Sequence, residues 1–195
     1  IIVAVFDTLA PIGLTNMKRS ERTKSEVVFE HGHTLPSNVK QALHCLSMDD
    51  KRKAFQPTLM NSENKIHELW FAGAHSDVGG GYYYDGLADI SLRCMLNWID
   101  DLEWQVNVTS PSELNYDELV DSDVSYRITQ DDVSIDPNVF GKSHQQSRTP
   151  LIGWATLTDR ACVVIENDEL SNRQQLVHHS VEERIEGDRN YRPQT

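Results

Sequence analysis

The chain has 195 residues, enough for one domain of ordinary size, and 38% of them are hydrophobic, enough to support a core. Its 30 acidic and 18 basic residues give a net charge of -12, which argues against nucleic acid, whose phosphates need a basic face, and against electrostatic docking onto anionic lipid. No apolar run approaches the roughly 20 residues of a membrane span.

Ile1-Ile2-Val3-Ala4-Val5-Phe6 is a continuous β-branched run and reads as a strand buried on both faces. It ends in Asp7-Thr8, and Pro11 and Gly13 mark a loop. Lys18 to Lys24 is basic and polar and reads as loop. Asn38 to Ser47 reads as a helix, with Val39, Ala42, Leu43 and Leu46 on one face and Ser37 as N-cap. Lys65 to Ala74 is a second strong strand, expected to lie parallel to the first as its direct neighbour. Leu87 to Leu102 is the clearest helix, since Leu87, Ile90, Leu92, Met95, Leu96 and Ile99 repeat near helical period behind the start signals Asp85 and Gly86. A short helix is expected near Ser112 to Val120, capped by Ser112. Arg160 to Glu166 reads as a third strand, and Leu176 to Ile185 turns from apolar to amphipathic with His178 at the junction. Strands alternate with helices, so the class is α/β, with a mostly parallel sheet flanked by helices.

The charge is concentrated. From Asp100 to Asp136 there are 11 acids and one base, Arg127, an excess that nearly equals the whole net charge. The segment reads as a solvated acidic insertion, with a contact surface for a basic partner as the alternative. Cys45, Cys94 and Cys162 have no metal-type spacing and read as free thiols in a reducing compartment. No signal-peptide pattern is visible, and the first residue is Ile1 rather than Met.

The most informative stretch is Leu69-Trp70-Phe71-Ala72-Gly73-Ala74-His75-Ser76-Asp77-Val78-Gly79-Gly80-Gly81-Tyr82. A buried strand stops at an acid and gives way to permissive backbone, as where α/β enzymes present catalytic side chains at the carboxyl edge of a sheet. Asp77 follows the second strand and His178 comes much later, which fits the order nucleophile, acid, base. The two are expected within hydrogen-bond reach, with Asp7 as the alternative acid because it also ends a buried strand. The plainer readings are a turn-capping acid for Asp77, a structural acid for Asp7 and a surface histidine for His178.

His75, Gly79, Gly80 and Tyr82 are expected to support the site or line its pocket. His75 and Asp77 could form a metal pair, but no further ligand completes it; Asp77, Asp85 and Asp89 could form a calcium site. Gly79 to Gly81 lack the Lys-Ser/Thr of a phosphate loop and are followed by Tyr82, Tyr83 and Tyr84, so close backbone approach is the expected reason for them. No cofactor and no metal is expected. The nucleophile elbow Gly-x-Ser-x-Gly is absent: the only Gly-x-Ser is Gly141-Lys142-Ser143, with Gln145 in the last place and no strand before it. The elbow is expected upstream of Ile1, which makes this chain the carboxyl-terminal part of a hydrolase domain, inactive by itself.

Several stretches resemble an α/β-hydrolase family that includes phospholipase effectors of the bacterial type VI secretion system. They are Val5-Phe6-Asp7-Thr8-Leu9, the segment from Ala42 to Leu59, Trp70 to Tyr82, Leu87 to Arg93, and Val177-His178-His179-Ser180-Val181-Glu182-Glu183-Arg184. Cys45 and Ser47-Met48 depart slightly from the pattern, and the acidic segment matches nothing in it. The resemblance implies serine-type hydrolysis of lipid esters, a stay in the bacterial cytoplasm before type VI secretion, and a secretion or immunity protein as partner. The missing amino-terminal part of the domain is the other partner expected. The competing class is a non-catalytic hydrolase-like module that binds through its acidic insertion.

Overall fold

The computed structural model describes residues 1–9, 33–102, 106–118, 128–145 and 147–193. Its frame is a four-stranded parallel sheet of order β1-β2-β3-β6: β1 Ile2–Phe6, β2 Gln41–Ser47, β3 Ile66–Phe71 and β6 Leu176–Val177. α1 (His75–Gly79) and α2 (Gly86–Asp101) follow β3, and α5 (His179–Gly187) follows β6. Two shorter helices, α3 (Gln130–Val133) and α4 (Pro150–Thr156), lie between α2 and the hairpin formed by β4 (Val164–Glu166) and β5 (Glu169–Ser171). The sheet is parallel and flanked by helices, as the alternating pattern predicts. Among the described residues, no helix is long and apolar enough to cross a membrane.

The segment read as a helix from Asn38 to Ser47 is instead the central strand β2. Ala42, Leu43, Cys45 and Leu46 are all buried, and their side chains divide between the two faces. Leu43 and Cys45 pack with Phe71, Val78, Leu87 and Ile90 on the side of α1 and α2. Leu46 packs with Trp70, Leu59, Ile165 and Val181 on the side of α5 and β4. A strand buried on both faces carries apolar residues at every position, and a short run of that kind also satisfies a 3.6-residue period. β2 therefore lies between the first strand and β3, which are parallel members of one sheet but not direct neighbours.

Other boundaries shift. β1 is half-buried along its whole length, not covered on both faces, and forms one edge of the described sheet. The strand expected from Arg160 shrinks to Val164–Glu166 and pairs antiparallel in the β4–β5 hairpin. Near Ser112 there is a single 3-10 turn, Pro111–Glu113, with Ser110 rather than Ser112 at its start. Residues 119–120, the end of the helix expected there, lie outside the described residues, as does the basic stretch Lys18 to Lys24. All three cysteines are free.

α2 is held against α1 by Ser91, whose hydroxyl donates to the Val78 carbonyl at 2.6 Å. The β3–α1 turn needs Gly73. Its φ is +111°, and a Cβ there would stand 2.5 Å from the Asp77 Cβ. Gly80 and Gly81 also have positive φ, but among the described residues no atom outside their own chain neighbours comes within 4 Å of where a Cβ would sit, and at Gly79 the Phe6 Cβ lies at an ordinary 3.7 Å. The requirement at Gly80 and Gly81 is backbone conformation, not the close approach expected from the sequence.

Candidate active site

The ends of all four parallel strands meet at one edge. Asp7 follows β1, Ser47 ends β2, His75 and Asp77 follow β3, and His178 follows β6. This is the edge where open parallel sheets bind ligands.

Asp7 turns there with φ of 39°, in the left-handed region that an aspartate tolerates better than most side chains. Its carboxylate is fully buried and accepts four hydrogen-bonding groups. Oδ1 takes the Ser47 N–H at 2.9 Å and Arg160 Nη1 at 2.5 Å; Oδ2 takes the Ser47 hydroxyl at 3.0 Å and His75 Nδ1 at 2.8 Å. Burial pushes its pKa up. The His75 hydrogen bond, the Arg160 charge and the Ser47 amide outweigh that and hold the carboxyl below its usual range.

An ionised Asp7 can only accept, so His75 must donate from Nδ1. A neutral His75 then carries its lone pair on Nε2. The ring is 28% exposed, and among the described residues nothing hydrogen-bonds to Nε2. Its backbone is fixed as well: the His75 N–H donates to Asp50 Oδ2 at 3.1 Å, and the ring meets Phe55 edge-on at 5.3 Å. Asp50 is itself held by a bidentate pair with Arg52, which keeps its pKa low against the opposing effect of burial.

Asp77 and His178 reach the same edge but do not hydrogen-bond to each other. Asp77 Oδ2 accepts the N–H groups of Ala74 at 2.9 Å and His144 at 2.8 Å, and its Oδ1 pairs with His144 Nδ1 at 2.6 Å. His144 stacks on Tyr82, with ring centroids 3.8 Å apart. His178 caps α5: its Nδ1 lies 2.8 Å from the Ser180 hydroxyl and accepts the Ser180 N–H. Its ring stacks on Phe71 at 4.7 Å. Burial first, then the charge of His179, lowers its pKa to about 4. An imidazole whose Nδ1 accepts from a backbone amide lacks the tautomer that a carboxylate partner would enforce.

His44 also has an acid partner, Glu68, at 3.0 Å, but it is fully buried and its Nε2 is occupied by the amide and hydroxyl of Thr8. No group of three or more potential metal ligands occurs among the described residues. Sequence reasoning passed over His144, which has no strand or motif before it, and Arg160, which reads as the ordinary charged start of an apolar run. A charged residue at the foot of a buried segment was the one signal available.

A family model for the T6SS phospholipase effector Tle1-like catalytic domain matches residues 1–98, just over half of the chain. The chain belongs to this family. The match spans β1 to α2 and includes Asp7, His75 and Asp77, whereas His144 and His178 fall beyond it. No curated protein and no solved structure matches the chain at significant similarity.

Proposed function

We propose that this Tle1-like chain supplies the acid and the base of a serine-type phospholipase, with Asp7 as acid and His75 as base. The observation that carries the reading is the 2.8 Å bond from His75 Nδ1 to a buried Asp7 carboxylate, with the opposite ring nitrogen unengaged among the described residues. Asp77 and His178, the pair favoured by their order in the sequence, then have structural tasks. Asp77 closes the turn before α1, and His178 caps α5.

The chemistry follows from that geometry. His75 Nε2 takes the proton of a serine hydroxyl as the serine attacks an ester carbonyl, and Asp7 stabilises the imidazolium that forms. The same Nε2 returns the proton to the leaving alcohol, and a water repeats the cycle on the acyl-enzyme. The match to a phospholipase effector family supports a phospholipid ester as the substrate class. The sequence contains no Gly-x-Ser-x-Gly elbow, so the serine and its oxyanion amide belong to a segment outside these residues. Residues 1–195 alone should therefore turn over no ester.

The test is phospholipid hydrolysis by the protein that contains this chain together with its nucleophile segment. His75→Ala and Asp7→Asn should each lower kcat by about 10^3 to 10^4, because a triad acts as a unit. His178→Asn should stay within about tenfold of the parent. Full activity in His75→Ala, or a collapse confined to His178→Asn, would overturn the assignment.

A further inference from the structure

From the exposed face of α4, and resting on the hydrolase reading, we infer that α4 is the element that lays this protein onto an anionic phospholipid surface. α4 buries no residue at all. Leu151 is 79% exposed, Ile152 52% and Trp154 83%, all on one short helix. Three large apolar side chains side by side in water gain nothing for the fold, and such a patch marks a contact surface. Trp and Leu exposed on a short element are residues that settle at the headgroup boundary.

The charge around α4 selects the lipid. The whole chain carries -12, but an excess of 10 acids sits in 100–136. Residues 137–158 contain no Asp or Glu; of their two cations, Arg148 is bonded to α4 and Lys142 lies over the Tyr84 ring. The neighbouring 51–53 segment adds Lys51, Arg52 and Lys53, of which Arg52 is neutralised by Asp50 and Lys51 faces Asp159 at 3.5 Å. Lys53 caps the carbonyls of Trp154 and Ala155 at 3.3 and 3.1 Å, which places its ammonium at the end of the apolar helix. Arg148 stands at the same helix, donating to the Thr156 hydroxyl at 3.0 Å. Apolar side chains flanked by these two cations match a surface of anionic headgroups. The acidic balance that opposes lipid binding for the chain taken together does not apply at this face.

Position supports the same occupant. The segment after α4 is bound to residues 51–55: Arg52 bridges to Leu157, and the Thr158 N–H donates to the Lys51 carbonyl at 2.7 Å. Phe55 in that segment meets the His75 ring, and Arg160 donates to both the Phe55 carbonyl and Asp7. A bilayer in contact with α4 would therefore bring its phospholipids beside the proposed base.

The test uses the full-length protein and vesicles of ether-linked phosphatidylglycerol, which have no ester to cleave, compared with ether-linked phosphatidylcholine. The parent should co-sediment with phosphatidylglycerol at least about tenfold more tightly, and Leu151→Asp combined with Trp154→Asp should lose at least about tenfold of that affinity. Turnover of a water-soluble short-chain ester should be unchanged in the double variant. A second measurement needs no charged substitution: the emission of the parent minus that of Trp154→Phe isolates Trp154. That emission should shift to the blue and be quenched by brominated phosphatidylglycerol. Unaltered vesicle binding in the double variant, equal affinity for both lipids, or an unquenched Trp154 covered by another part of the protein would each overturn the inference. Failure of the hydrolase reading looks different: vesicle binding by α4 would remain while the parent turned over no ester.

Discussion

Asp7 holds the site together because it joins three elements through one buried carboxylate. It ends β1, receives the end of β2 through Ser47, and receives the start of α1 through His75, while Arg160 neutralises it from a distant part of the chain. Replacing Arg160 by Ala should leave that carboxylate buried without its cation and cost about 3–5 kcal/mol in chemical denaturation. The pH dependence has a definite sign. Because the folded pKa of Asp7 is depressed, its stabilisation is complete above the unfolded value of 3.8 and is lost as pH falls through the folded value. In Arg160→Ala the loss should begin at higher pH. His178 also favours the deprotonated form. The unfolded chain takes up its proton near 6.5 and the folded chain only near 4, so stability should fall as pH drops across that interval. His178→Asn keeps an N-cap acceptor and should flatten this part of the curve. A slope unchanged in the variant would show that His178 is not the group titrating.

At the scale of elements, β2 decides how the sheet is layered. Leu46 is fully buried between β3, β4 and α5, so Leu46→Ala should cost about 2–5 kcal/mol in a denaturation experiment. A loss below about 1 kcal/mol would mean that this face of β2 is not packed as described. β2 was also the element least legible in the sequence, because a strand covered on both faces has lost the alternation that distinguishes strand from helix. β3 and α2 were legible for the opposite reason. The first is an apolar run closed by glycine, and the second shows six apolar residues near helical spacing. The edge that holds the site could be read from strands ending in Asp7 and in His75-Ser76-Asp77. The pairing on that edge could not, because chain order ranks acids and histidines without fixing which ring nitrogen meets which carboxylate. Once β2 is placed between β1 and β3, Asp7 and the start of α1 meet across the end of β2, and Asp77 is left to the returning loop of His144.

At the scale of the whole molecule, charge and apolar surface are divided between different regions. The acids gather between Asp100 and Asp136, whereas the segment of α4 is free of them and carries the exposed Trp154. The proposed base lies beside the residues that anchor α4, so a single face would combine lipid contact with ester chemistry. The family match over residues 1–98 includes both members of the Asp7–His75 pair and neither His144 nor His178. His75 is the group on which the proposed chemistry depends. That role is tested most directly by the crystal structure of the full-length protein after its nucleophilic serine has been trapped with a fluorophosphonate. The expected result is His75 Nε2 at roughly 2.6–3.2 Å from the serine Oγ or from the phosphonate alkoxy oxygen standing where the leaving alcohol would be, with Nδ1 still on Asp7. His178 or His144 in that place, with His75 turned away from the adduct, would contradict it.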